Sequence, residues 1–185
     1  PCAYMDTYDP ATVFSSIDEH GRYAYANQPP IARWNLTRFA ETLLPLLDDD
    51  LDKAVPMAQA VLDRFDPQFQ RHLIAGFRRK LGLTTEEAED VDLIKALLDT
   101  MQQGEADFTL VFRRLSEGAG PDSADACRDL FADPAEFDAW EGRWCQRLSR
   151  EPAPAEMRRE AMLQANPLFI PRNHLGEQGI ASATE

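Results

Sequence analysis

The 185-residue chain lacks the features that mark several large classes of protein. It has only three cysteines, and their spacing matches neither a small disulfide scaffold nor a zinc site, which favours reduced thiols and a cytoplasmic location. No apolar run approaches the ~20 residues that span a bilayer. Lys and Arg number 19 against 32 Asp and Glu, and the net charge of −13 argues against binding to nucleic acid or to an anionic membrane.

Motifs that hold nucleotides or metals are also missing. The nine glycines are scattered and form neither G-x-G-x-x-G nor G-x-x-x-x-G-K-[ST]. His20, His72 and His174 lie far apart, without the i, i+4 spacing of a metal site on a helix, so we expect each of them to face solvent or to pack. The acidic residues 48–52 lack the glycine and the distal Glu of an EF-hand loop and predict the solvated start of a helix. We therefore expect this chain alone to hold no cofactor and no metal.

Strand signals are scarce, because Val and Ile together number eleven and apolar residues recur every three or four positions. The class predicted is all-α. A helix is expected to begin near Pro30 and to end at Pro45 and the acidic run, with an apolar stripe that belongs to the core. That stripe consists of Ala32, Leu36, Phe39, Ala40, Leu43 and Leu47. A second helix is expected to start with Asp66 as cap and to end near Leu81, with Arg78, Arg79 and Lys80 balancing its dipole.

The second half of the chain predicts further helices. Residues 84–87 fit a capping box, followed by a helix whose buried face holds Ala88, Val91, Ile94, Leu98 and Met101. A stripe from Phe108 to Leu115 follows at once and predicts an antiparallel pair of helices packed face to face. Asp133-Pro134 begins a helix whose aromatic face is more typical of interior packing than of a peptide site. That face holds Phe137, Trp140, Trp144 and Leu148. Residues 117–124 are expected to form a loop, and residues 151–154 a linker to two last helices.

The cysteines themselves show no sign of reactivity. Cys127 and Cys145 lie in amphipathic segments and are predicted to be buried small hydrophobic residues rather than a redox pair. Cys2 has no neighbouring His or Lys that would favour a thiolate.

Residues 1–30 alone have the density of special residues that a functional surface requires. They supply acceptors, donors and stacking faces in a segment with little regular structure, where binding residues commonly lie. These residues are Asp6, Asp9, Arg22, Tyr23, Tyr25, Asn27 and Gln28. The same residues would equally well fix a long irregular segment through Asx turns at Asp9 and Asp18 and through buried Tyr hydroxyls. The residues by themselves give both interpretations equal weight.

Several ordered motifs support a resemblance. They are Tyr-Met-Asp-Thr-Tyr-Asp-Pro at residues 4–10, Gly-Arg-Tyr-Ala-Tyr-Ala-Asn-Gln-Pro at 21–29, Trp-Asn-Leu at 34–36, Asn-Pro at 166–167 and Arg-Asn at 172–173. In this order they resemble the selenoprotein O (YdiU) family of bacterial and mitochondrial proteins, over nearly the whole chain. The resemblance implies a pseudokinase: a protein-kinase-like fold that transfers AMP from ATP to Ser, Thr or Tyr hydroxyls of other proteins.

The resemblance also implies which part of such an enzyme this chain is. In the family, the metal-binding Asp-Tyr-Gly-Pro motif, the phosphate-covering loop and the nucleotide-binding Lys lie upstream of the residues matched here. We therefore expect an activation segment at residues 1–30, the helical lower C-lobe and an extension at 31–150, and C-terminal helices at 151–185. ATP and Mg²⁺ or Mn²⁺ would be held outside this chain, in a bacterial cytoplasm. Asp6 and Arg22 are the candidates for support of the catalytic site.

The partners implied are protein substrates and the upstream kinase-like lobe. Without that lobe, the apolar surface of residues 36–47 is expected to be exposed and to form a homodimer. Some relatives carry a cysteine in the activation segment that pairs with one near the C-terminus, but this chain has Phe14 at the first place, so the resemblance does not imply that redox control here. A second hypothesis is an autonomous all-helical interaction module that binds a partner through Trp140 and Trp144, without catalysis.

Overall fold

The computed structural model describes residues 5–118, 125–170 and 173–183, and this part of the chain is helical, with no strand. The helices are α1 (Gln28–Leu47), α2 (Leu51–Leu62), α3 (Phe65–Lys80), α4 (Asp90–Gln103), α5 (Phe108–Glu117), α6 (Asp125–Arg128), α7 (Pro134–Leu148), α8 (Ala155–Ala165) and α9 (Asn173–Ala183), with a 3-10 turn at Tyr25–Asn27 ahead of α1. The all-α prediction is confirmed. None of these helices is both long and apolar enough to cross a bilayer.

Helices α1 and α2 form a hairpin that stands largely apart from the core. Pro29 and Pro30 occupy the first turn of α1, where a missing N–H costs nothing. The Asp50 carboxylate accepts a hydrogen bond from the Asp52 N–H at 3.0 Å and caps α2, so the acidic run is the start of a helix, as predicted. The core position predicted for the α1 stripe is wrong, whereas the exposure expected for residues 36–47 of this chain is confirmed. No residue of α1 is buried, and Phe39 is 60% exposed, because α1 packs mainly against α2 rather than against the core helices.

Helix α3 ends at the position that the sequence predicts and starts slightly earlier. Its C-terminus is a Schellman motif, in which the Leu83 N–H donates to the Arg78 carbonyl at 2.9 Å and Gly82 N–H to the Arg79 carbonyl at 3.3 Å. Gly82 has a φ of 72°, a left-handed conformation that favours glycine. At the other end, Asp66 lies in the first turn instead of capping it.

The core is built from α4, α5, α7 and α8, with the end of α3. The aromatic face of α7 is buried, as predicted: Trp140 Nε1 donates to the Leu93 carbonyl at 2.9 Å, and Trp144 Nε1 to the Leu81 carbonyl at 3.0 Å. The stripe predicted for α5 is buried as well, through Val111, Phe112 and Leu115. The predicted α4–α5 pair is wrong, since α4 packs mainly against α7 and α5 mainly against α8.

The predicted capping box and the buried face of α4 need correction. The Thr84 hydroxyl donates to the Glu151 carboxylate instead of closing a box with Glu87, and α4 begins only at Asp90. In a capping box the Glu87 carboxylate would accept a hydrogen bond from the Thr84 N–H, whereas here the Glu151 carboxylate accepts it, at 2.9 Å. The buried face is rotated accordingly: Ile94 and Met101 are buried as predicted, together with Leu93 and Leu97, whereas Ala88 and Val91 are exposed. Glu151, assigned to a linker, is buried.

The two described cysteines differ in environment. Cys127 is buried as predicted, and burial raises the pKa of its thiol to about 12. The prediction for Cys145 is wrong, because this residue follows Trp144 on α7 and is turned to the solvent side. Cys2 and most of the loop predicted at residues 117–124 lie outside the described residues.

Candidate functional site

A cavity of 1050 Å³ lies between the opening segment (residues 1–30, described from residue 5), α1 and the end of α3. Apolar atoms form most of its wall area, and charged and amide side chains also line it, a combination found in ligand sites. The lining includes Met5, Phe14, Asp18, His20, Arg22, Tyr23, Tyr25, Gln28, Ile31, Asn35, Lys80, Phe108, Pro167 and Ile170. The Gly-Arg-Tyr motif therefore contributes side chains to one cavity.

The opening segment is fixed to the start of α5 by backbone pairing. The Tyr8 N–H donates to the Ala106 carbonyl at 2.9 Å, and the Phe108 N–H donates to the Asp6 carbonyl at 2.7 Å. Tyr8 and Tyr25 then pack against Phe108, with ring centroids 5.7 and 6.3 Å from it. Burial raises the pKa of Tyr8 to about 12 and also raises the pKa of Tyr25, so both phenols are neutral near pH 7. The segment is thus ordered without a long regular element.

Asx turns hold the rest of this segment, as the structural interpretation predicts. The Asp9 carboxylate accepts a hydrogen bond from the Ala11 N–H at 2.8 Å. The two carboxylate oxygens of Asp18 accept from the N–H groups of Arg22 and Tyr23, each at 2.8 Å. Asp18 therefore fixes the backbone that presents Arg22, so fixing the segment and presenting a functional side chain are compatible roles.

The two residues singled out from the sequence occupy different places. Arg22 lines the cavity, and its guanidinium carbon lies 4.6 Å from the centroid of the Trp34 ring. This stacking leaves the N–H groups of the guanidinium edge able to bind a ligand. Asp6 is exposed and pairs with α5 through its backbone, while its neighbour Met5 lines the cavity.

Lys80 is the cavity residue that the sequence analysis missed. Its Nζ donates to Asn166 Oδ1 at 3.1 Å and lies 4.9 Å from the centroid of Phe112. Burial lowers the pKa of this ammonium group. The sequence did contain a signal, because Lys80 follows Leu73 and Phe77 at the i, i+4, i+7 spacing of one helix face and so falls on the packed side of α3.

A second cluster of charged residues is structural. Arg147, on α7, donates to Asp90 at 2.8 Å and to Glu151 at 2.7 Å, with all three side chains almost completely buried. Burial alone would raise the pKa of Glu151, but hydrogen bonds from Thr84 and Thr85 outweigh it and lower that pKa to about 2. For Asp90, burial is likewise outweighed by hydrogen bonds, chiefly from Arg147, and its pKa is lowered. These groups fix the 84–90 loop to α7.

The described residues do not fit the divalent metal that the resemblance implies. Among them, no group of three or more His, Cys, Asp and Glu residues comes together in a way that would hold a metal ion. His20 and His72 are exposed, as expected, and the side chain of His174 lies outside the described part.

Comparisons with known proteins agree with the motifs. A family model described as "Protein adenylyltransferase SelO" matches residues 1–185. A "Protein nucleotidyltransferase YdiU" of Rhizobium meliloti is 55% identical over 186 residues, which cover 100% of this chain and 38% of that protein. A protein of the same description from a Bradyrhizobium species is 56% identical over 185 residues, again 100% of this chain and 38% of the relative. The chain thus spans little more than a third of the length of the curated relatives it matches.

Proposed function

The chain belongs to the SelO family of protein adenylyltransferases, and from this premise we propose that it is the C-terminal part of an enzyme that transfers AMP from ATP to Ser, Thr or Tyr hydroxyls of other proteins. The match of the family model to all 185 residues is the observation on which the proposal depends. In this reaction a substrate hydroxyl attacks the α-phosphate of ATP, a P–O bond forms to the hydroxyl oxygen, and pyrophosphate leaves. ATP and Mg²⁺ or Mn²⁺ are assigned to residues outside this chain.

The proposed part played by this chain is to shape the place where the protein substrate meets the nucleotide. The opening segment, residues 1–30, is taken as the activation segment of a kinase-like fold, with residues 31–150 as lower C-lobe and extension and 151–185 as C-terminal helices. Two observations support this. The opening segment is fixed by backbone pairing to α5, and it presents Arg22 at a cavity large enough to accept side chains of a second molecule.

Substitutions in the complete enzyme test the proposal. Asp6→Ala and Arg22→Ala are expected to lower AMP transfer by ~100-fold, because a group misplaced by about an ångström beside a reaction centre costs that much in rate. Transfer of label from ATP to protein substrates measures the rate, and thermal melts of the same variants measure stability. The melting temperature should change little, since both side chains are exposed.

Two control variants help to interpret the transfer rates and melting temperatures of Asp6→Ala and Arg22→Ala. Arg143→Ala removes an exposed cation from α7 and should leave transfer unchanged. Trp140→Ala removes a buried ring and should lower stability by about 3–5 kcal/mol before it affects the rate of the folded fraction. If Asp6→Ala and Arg22→Ala instead lose stability by several kcal/mol and their activity follows the folded fraction, the opening segment has only a structural role.

The structure bears on the alternative, an interaction module, in two ways. Trp140 and Trp144 are 2% and 0% exposed, so they do not form the partner-binding face suggested by the sequence. The α1–α2 hairpin, in contrast, exposes several large apolar side chains. We assign this surface to contact with the kinase-like lobe of the complete enzyme or, in its absence, to a homodimer. The cytoplasmic location stays a prediction.

A further inference from the structure

A second cleft, of 880 Å³, lies between α3 and α8 and shares Tyr25, Lys80 and Phe108 with the first cavity. Three cations line it: Arg79 and Lys80 from the last turn of α3, and Arg158 from the first turns of α8. The described residues that line the cleft include no Asp or Glu. In a chain with a net charge of −13, a positive cleft without acidic neighbours is an unusual local arrangement.

These cations are not neutralised within the described part of the chain. None of the three forms an ion pair there, whereas Arg150 pairs with Glu87 and Glu89. Arg79 is exposed on the helix surface. The position of Arg79 and Lys80 at the end of α3 suits the helix dipole, but that explanation does not extend to Arg158, which lies near the N-terminal end of α8, where the dipole disfavours a cation.

Arg158 provides the independent sign of a missing partner. Its Nη1 donates to the Ala153 carbonyl, but its Nε is buried and has no hydrogen-bond partner. A buried donor without an acceptor is destabilising, and native structures contain few of them. Burial also disfavours the charged form of Lys80 and lowers its pKa. An anion bound in the cleft would attract both side chains, and a small rotation of the Arg158 guanidinium would bring its Nε to an acceptor.

We propose that this cleft binds a diphosphate group. A diphosphate joins two negatively charged phosphates with several acceptor oxygens, which suits three cations that line one cleft better than a single carboxylate does. The planar guanidinium groups of Arg79 and Arg158 match pairs of phosphate oxygens, and Lys80 adds a point charge to the same cleft. The apolar floor, which includes Leu73, Phe77 and Leu83, strengthens these interactions by excluding water. This inference does not depend on the proposed function.

Calorimetric titration of the 185-residue chain with sodium pyrophosphate tests the proposal. We expect saturable one-to-one binding, weakened about 10-fold or more by Arg79→Gln and by Arg158→Gln. Arg71→Gln is the matched control, because it removes an equal charge from an exposed position of α3 outside the cleft and should leave the affinity unchanged. Thermal melts establish that each variant is folded, and the exposed Arg79 keeps the test valid if the Arg158 variant unfolds.

A parallel titration with ADP distinguishes the source of the diphosphate. Equal affinities for pyrophosphate and ADP assign the cleft to the diphosphate alone, while tighter binding of ADP adds base contacts, for which Tyr25 and Phe108 are the available rings. Absence of saturable heat with both ligands overturns the proposal. So does an equal loss of affinity in the Arg71→Gln variant, because binding would then follow the net charge and not the cleft.

Discussion

At the scale of single residues, the carboxylate of Glu151 has the most sharply defined environment in the described part of the chain. It accepts hydrogen bonds from Thr84 and Thr85, including one from the Thr85 hydroxyl at 2.7 Å, and pairs with Arg147. It is only 8% exposed, so protonation in the folded state requires these donors to lose a charged acceptor. This environment lowers its pKa to about 2, from 4.5.

A pH dependence of stability follows. Because the folded-state pKa lies below the unfolded value, the stabilising contribution is fully present above the unfolded pKa of 4.5 and is lost as the pH falls towards 2. The contribution is on the order of 3 kcal/mol at neutral pH. Chemical denaturation between pH 7 and 2 measures the free energy of unfolding, which should fall less steeply with decreasing pH in Glu151→Gln than in the wild type. Glu156→Gln, which alters an exposed carboxylate on α8, should show the wild-type pH dependence. The same pH dependence in all three proteins would contradict the assignment.

Residue patterns predicted part of the site. The density of functional side chains in residues 1–30 pointed to the cavity wall that holds Arg22, Tyr23 and Tyr25. Lys80 was missed, because a basic residue in the last turn of a helix has a sufficient local explanation in the dipole. What decides its surroundings is the packing of α3 against α5 and α8, which depends on contacts between distant parts of the chain.

At the scale of helices, local sequence signals predicted where helices begin and end better than they predicted which helices pack together. Pro29-Pro30, Gly82 and Asp133-Pro134 fix helix boundaries through backbone geometry, and these positions agree with the structure. The burial of a face depends instead on which helix packs against it. An apolar stripe is buried on α7 and exposed on α1, although both read as core in the sequence. Thr84 shows the same limit, since its partner Glu151 is 67 residues away.

Alanine substitutions at two glycines are expected to change the stability of the protein in opposite directions. Gly82 has a φ of 72°, and a Cβ there would lie 2.7 Å from Met162 Sδ, so Gly82→Ala should destabilise the protein by about 1–3 kcal/mol. Gly142 lies within α7, where a Cβ would meet nothing within 4 Å, and Gly142→Ala should stabilise by about 0.5–1 kcal/mol. Urea denaturation of both variants measures the two changes. A loss of stability in Gly142→Ala, or none in Gly82→Ala, would be inconsistent with these backbone conformations.

At the scale of the whole molecule, burial is unevenly distributed. The helices α4, α5, α7 and α8 enclose one core, whereas in the α1–α2 hairpin only Ala54 is buried. Large apolar side chains are exposed along this hairpin: Leu36, Phe39, Leu46, Leu47, Leu51, Val55 and Val61. Large apolar side chains exposed in this number on two neighbouring helices favour an interface with another polypeptide. The chain spans 38% of the length of the relative from Rhizobium meliloti, and we proposed above that this surface contacts the kinase-like lobe.

Dimerisation of the isolated chain through the α1–α2 hairpin is the prediction at this scale, because association would remove the exposed apolar surface from water at about 25 cal/mol per Å². Light scattering over a dilution series should show dimers that dissociate as the concentration falls. Phe39→Glu combined with Leu46→Glu should give a monomer at all concentrations, since these side chains are 60% and 81% exposed and their removal costs little packing. Val91→Glu places the same charge at a 48% exposed position of α4, outside the hairpin, and should leave dimerisation intact. A wild-type chain that is monomeric at every concentration would show that the hairpin surface does not self-associate and would contradict the prediction.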